Sequence, residues 1–167
     1  MNVLFLQRSG IDLYATLLAS ETSRRILRFY QPASCPGGVI LYASSFGSAL
    51  SLAGELRWYI RRYMQDVLLE VSGNRYCTLT LARELYYDRD FTIHDNWPFR
   101  RLYVIRKGNL VSALNLTALD DPAETGQKDG PVNRIVVLCS ESEYNQEKPI
   151  VHGEGEISDE GNYAGEE

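Results

Sequence analysis

Between Ala49 and Val71 apolar residues recur at helical spacing: Ala49, Leu52, Ala53, Leu56, Ile60, Tyr63, Val67 and Val71. No other stretch commits so much of the chain to one geometry, because positions three and four apart share a face of an α-helix. Ser45 or Ser48 is placed to cap the start, and Gly73 to close the end in the left-handed conformation. The pattern predicts one long amphipathic helix, which needs a second layer to bury its apolar face. Trp58 projects away from that face. Arg62 lies one turn on, and Arg57 and Arg61 complete a surface of the composition found at interface hot spots. Two readings follow. Either another layer, such as 78–99, covers the indole, or Arg57, Trp58, Arg61 and Arg62 meet a protein partner or a second copy of the chain.

The segments before the helix read as strands. "NVLFLQ" is one. "IDLYATLLAS" alternates Ile11, Leu13, Ala15 and Leu17 against Asp12, Tyr14 and Thr16, the period of a half-buried strand, although helix also fits. "SRRILRFYQ" sets Arg24, Arg28 and Tyr30 opposite Leu27 and Phe29, and "VILYASS" follows the loop "PASCPGG". Short connections between four strands predict an antiparallel meander. After the helix, "YCTLTLAREL" fits strand or helix. "FRRLYVIRK" and "LVSALNLTAL" form a hairpin with Gly108-Asn109 at its tip, and "NRIVVLC" is a last buried strand. The expected class is α+β, an antiparallel sheet of about six or seven strands packed on one long helix.

Charge divides the chain. Residues 141–167 carry nine of the 22 acids and one basic residue, Lys148, whereas 1–140 carries 16 basic residues, 14 of them arginine, and 13 acids. The expectation is an α+β domain over 1–140 and an acidic, disordered tail over 141–167. Three scattered cysteines, Cys35, Cys77 and Cys139, fit a reducing compartment, and no apolar run is long enough to span a bilayer. A soluble, intracellular protein is expected.

Catalytic and metal signals are weak. Asp88, Asp90, His94 and Asp95 match no ligand spacing, and His152 lies in the acidic segment. Cys35 has no histidine placed to activate it, and "SFGSALSLAG" reads as helix caps as readily as an anion cradle. No cofactor, metal or catalytic residue is expected, so the chain reads as a non-enzymatic binding protein.

With the helix on one side of the sheet, the other face collects Tyr14, Arg24, Arg28, Tyr30, Arg101, Tyr103 and Lys107. Aromatic rings interleaved with cations make a platform for single-stranded nucleic acid, the first expected partner. The same residue types are also ordinary solvent-facing strand residues. Four strands followed by a helix is similar to the unit of the Whirly and PUR-type single-strand binders, a likeness of fold that no motif accompanies. The acidic tail would act as a regulatory polyanion mimic. The alternative is a protein-interaction or inhibitory module that uses the Trp58 face and the tail without nucleic acid.

Overall fold

Val3-Leu4-Phe5-Leu6 is apolar at four consecutive positions, and such a strand is stable where both its faces are covered. In the computed structural model of the protein all four side chains are buried, in β1 (Asn2–Gln7). The structure describes residues 1–72, 75–88, 93–117, 119 and 132–146. After β1 the chain forms α1 (Leu13–Ala19), α2 (Glu21–Leu27), β2 (Ala33–Cys35), β3 (Gly38–Tyr42), α3 (Phe46–Glu55) and α4 (Arg57–Tyr63). It continues through β4 (Met64–Ser72), β5 (Arg75–Thr78), α5 (Leu79–Tyr87), β6 (Arg100–Arg106), β7 (Asn109–Leu116), β8 (Val132–Leu138) and α6 (Glu141–Asn145). The α+β class holds. The described residues form one mixed sheet of eight strands, in the order β2-β3-β1-β4-β5-β8-β6-β7, instead of an antiparallel six or seven. Its parallel pair is β5–β8.

The long helix does not exist as one element. The apolar stripe is real through Ala49, Leu52, Ala53 and Leu56, all buried, but the helix breaks at Leu56, where φ and ψ are −90° and 9°. Beyond Tyr63 the chain becomes a strand, because Val67, Leu68 and Leu69 are buried in succession on both faces of the sheet. Val67 and Val71 fit the helical period by coincidence of spacing. Gly73, the expected cap, lies outside the described residues. The meander is corrected as well. Residues 13–27 are helical, because the Asp12 carboxylate caps α1 by accepting from the Ala15 amide at 3.1 Å. Leu13 and Leu17 then share one helical face, as do Ser23 and Leu27. The four-strand-then-helix unit is therefore absent.

Helices cover one face of the sheet, over a core that includes Val3, Phe5, Leu17, Leu52, Val67 and Leu69. The other face closes on itself. Leu4, Leu6, Leu68, Tyr103, Ile105, Leu110 and Val137 form a second core, and β7 packs against β1, from which it is separated by four strands in the sheet order. The sheet thus curls into a partial barrel. Gln7 Nε2 fastens the far hairpin by donating to Gly108 O at 2.8 Å. Two turns make the curl possible. Pro36-Gly37, with φ +91° at Gly37, joins β2 to β3 in the pattern of a type II turn. Gly38 passes so close to β1 that a Cβ there would lie 1.8 Å from Phe5 O. The β6–β7 turn is Lys107-Gly108, one residue earlier than expected, and both have positive φ, +50° and +76°. Two-residue hairpins of the I′ type require that pair of conformations, at a strain of about 1–2 kcal/mol for a side chain other than Gly, Asn or Asp.

The body extends past residue 140. Ser140 and Glu143 form a capping box at the start of α6. Tyr144 Oη donates to Leu116 O at 3.0 Å and Asn115 Nδ2 donates to Tyr144 O at 2.8 Å. Arg101 Nε donates to Asn115 Oδ1 at 2.9 Å, while its Nη2 donates to Glu143 O and, at 3.1 Å, to Gln146 O. The acidic segment therefore begins with a docked helix, and 147–167 lies outside the described residues.

Candidate functional site

The expected sheet platform is not assembled. Tyr14 is on α1, Arg24 on α2, Arg28 at its C-cap, and Tyr30 in the following loop, half-buried against the helix-side core. Arg101 is 3% exposed and committed to the end of α6. Tyr103 is buried in the second core and donates to Asp66 Oδ2 at 2.6 Å. Burial, with the Asp66 carboxylate beside it, pushes the phenol well above the ordinary tyrosine range. Lys107 is exposed at the hairpin tip. The physical reason is the curl: the face expected to meet solvent is a core.

The cations gather instead on the helical layer. Residues 8–63 contain seven arginines, no lysine and three acids, a net charge of +4. Arg25 pairs with Glu21 at 3.0 Å. Arg24, Arg28, Arg57, Arg61 and Arg62 are exposed and pair with no carboxylate among the described residues. Tyr59 joins the two cationic helices, its hydroxyl 2.6 Å from Ser20 Oγ at the start of α2. That hydrogen bond holds the Tyr59 phenol below its ordinary pKa.

Trp58 is 57% exposed. α5 packs on α3, β4 and β5, and the segment around it buries Trp97, whose Nε1 donates to Cys139 O at 2.9 Å, not Trp58. The rings of Tyr59 and Tyr63 stand edge-on to the indole at 5.0 and 5.8 Å, and the Arg62 guanidinium lies 5.3 Å from it. The indole is thus held in place while open to solvent. A second exposed ring, Phe29, is 75% exposed under the Arg28 guanidinium at 4.4 Å. Sequence reasoning passes over Phe29, because in a strand it falls opposite the arginines; in the helical arrangement it follows them.

Among the described residues the members of the acidic cluster do not come together as a site. Asp88 closes α5, Asp95 pairs with Arg75 at 3.2 Å, His94 is exposed, and Asp90 lies outside the described residues. Among the described residues no group of three or more His, Cys, Asp or Glu side chains could hold a metal. Cys35 is half-buried, and burial pushes its thiol up, away from nucleophilic thiolate. No helix of the described residues is long and apolar enough to cross a membrane.

A family model matches residues 1–105, from β1 to the penultimate residue of β6 and across every arginine-bearing helix among the described residues. The chain belongs to the family of unknown function DUF5804. The match takes in both cationic helices of this DUF5804 member and ends before β7, β8 and α6. No curated protein and no solved structure matches the chain.

Proposed function

We propose that this DUF5804 protein is a binding module for single-stranded nucleic acid, and that the binding surface is the helical layer, not the sheet. One observation carries the reading: a fixed, solvent-open Trp58 shares α4 with exposed Arg57, Arg61 and Arg62, and Tyr59 ties α4 to α2, which carries exposed Arg24 and Arg28; none of the five pairs with a carboxylate among the described residues. Guanidinium groups neutralise phosphates, and an exposed indole offers a stacking face to any base. Curvature supports the relocation, since the helices present the convex outside of the partial barrel. The acidic segment 147–167, with seven acids against Lys148, serves as an intramolecular competitor for the same surface.

The test is a fluorescence-anisotropy titration of a labelled single-stranded oligonucleotide at two salt concentrations. Replacing Arg57, Trp58, Arg61 and Arg62 with alanine should weaken binding at least about tenfold, since one stacked base contributes roughly 1–3 kcal/mol. The salt slope should flatten by about 0.7 for each single-strand phosphate that is no longer neutralised. Failure of the protein truncated after Gln146 to bind at low salt, where no competing acidic segment remains, would sink the reading.

A second reading has its own support. A rigid Trp among Tyr and Arg has the composition of a protein hot spot, so the α4 surface also fits a protein partner or self-association. Sedimentation velocity of the parent and Trp58→Ala proteins separates the self-association form of that reading from nucleic-acid binding.

A further inference from the structure

Between the end of β1, the β2–β3 turn and the β6–β7 turn lies an open cavity of about 370 Å³. Its size sits toward the low end of small-molecule pockets, roughly 300–1,000 Å³. Gly10, Gly37, Gly38 and Gly108 line it, so peptide planes form much of its wall, with Pro36 and Ile11 as apolar neighbours. Gln7 is already committed, donating to Gly108 O at 2.8 Å and accepting from Leu13 N at 3.2 Å; it fixes two walls relative to each other. Ser34 and Asn109 also line the cavity, and neither side chain makes a hydrogen bond among the described residues. Lys107, the residue before the lining Gly108 and Asn109, is exposed and sits at a left-handed position where Gly or Asn would be relaxed.

We propose that this cavity binds one nucleotide unit, its base between the peptide walls and its phosphate held at the mouth by Lys107. The groups present select that chemistry. Glycine walls admit a flat ring close to the backbone. An amide and a hydroxyl offer donors and acceptors together, which suits the mixed edge of a base. Asp12 also lines the cavity, and its carboxylate, which caps α1, puts a negative charge near by that disfavours an anion inside and leaves the charged end of the ligand to Lys107. The unit has two sources, a free mononucleotide or a nucleotide of a strand lying on the arginine face. Arg8 couples the two regions. Its side chain donates to Met64 O at 3.1 Å and Arg61 O at 2.8 Å, and its carbonyl accepts from Ile11 N in the cavity wall. The choice of ligand rests on the nucleic-acid reading above, but the residues differ, so the two stand or fall separately.

Amide-resolved NMR of the full chain tests it, with adenosine monophosphate, adenosine, inorganic phosphate and a short single-stranded oligonucleotide as separate probes. The monophosphate or the oligonucleotide should shift the Gly10, Gly37 and Gly108 amides, and inorganic phosphate alone should not. Saturation by the monophosphate identifies the free nucleotide as the source; shifts from the oligonucleotide alone identify the strand. Lys107→Gly relieves the left-handed turn, so its Tm should hold or rise, while affinity for the phosphorylated probe that shifts these amides falls about tenfold and any binding of adenosine is unchanged. Asn109→Ala with Ser34→Ala should weaken every probe that shifts them. Equal shifts from inorganic phosphate, or shifts confined to α2 and α4, or none from any probe, overturn the cavity assignment. Shifts confined to α2 and α4 would leave the arginine-face reading intact. Cavity shifts without oligonucleotide binding would do the reverse.

Discussion

Arg101 and Tyr103 show how far a residue's role depends on what lies beyond its own element. Each belongs to a residue type common in nucleic-acid interfaces, yet both are buried, and Arg101 is spent on carbonyls at the end of α6. A guanidinium there satisfies orphan acceptors and opposes the helix dipole. Arg101→Leu should therefore lower stability by about 3 kcal/mol in urea unfolding, whereas exposed Arg62→Ala should be nearly neutral. A neutral Arg101→Leu would mean that α6 does not depend on it. Cys77 supplies a pH dependence. Burial, with the Glu143 charge adding to it, pushes its thiol from 9.0 to about 12. The folded state thus favours the protonated thiol, so this contribution is complete below pH 9 and is lost as pH rises from about 9 towards 12. Tyr103, raised by burial, acts in the same direction. The urea midpoint should fall above pH 9, and Cys77→Ala should make that fall shallower.

Elements are legible where one period is unambiguous and misleading where two fit. The hairpin of β6 and β7, the strand β8 and the start of α3 follow from turn chemistry and apolar runs close at hand. Residues 13–27 fit both periods, and the Asp12 cap decides for helix. The stretch 64–72 reads as helix only by extending a helical stripe, although "VLL" is the signature of a strand covered on both sides. "VLFL" and "LYVI" carry the same signal and foretell the second core; a platform on that face is incompatible with them. The arginines of α4 point outward as expected because seven residues of helix remain there. Two substitutions test these assignments. Gly38→Ala should unfold the protein, because its Cβ would collide with Phe5 O in the β1–β3 ladder. Truncation after Ser140 should lower the urea midpoint clearly, since α6 takes with it partners of Thr78, Arg101 and Asn115. An unchanged midpoint would show that α6 contributes nothing to the body.

At the scale of the molecule the decisive feature is the separation of charge. A net charge of −5 conceals a segment, 8–63, of +4 and a C-terminal segment, 147–167, of −6. Opposite charges on one chain meet at an effective concentration set by the connecting residues, which reaches the millimolar range for short flexible links. Twenty-one residues span at most about 70 Å, so reach does not limit the encounter. The competition proposed above would be electrostatic, so it should weaken as salt screens it, over a Debye length of about 10 Å at 0.1 M. Removing residues after Gln146, which retains α6, should therefore tighten binding of a single-stranded oligonucleotide at low salt and change it little at high salt. Adding the excised segment back as a separate peptide at micromolar concentration should not restore the inhibition, because the effective concentration is lost. Equal affinities of intact and truncated protein at low salt would remove the competitor from the scheme while leaving the arginine face as the binding surface.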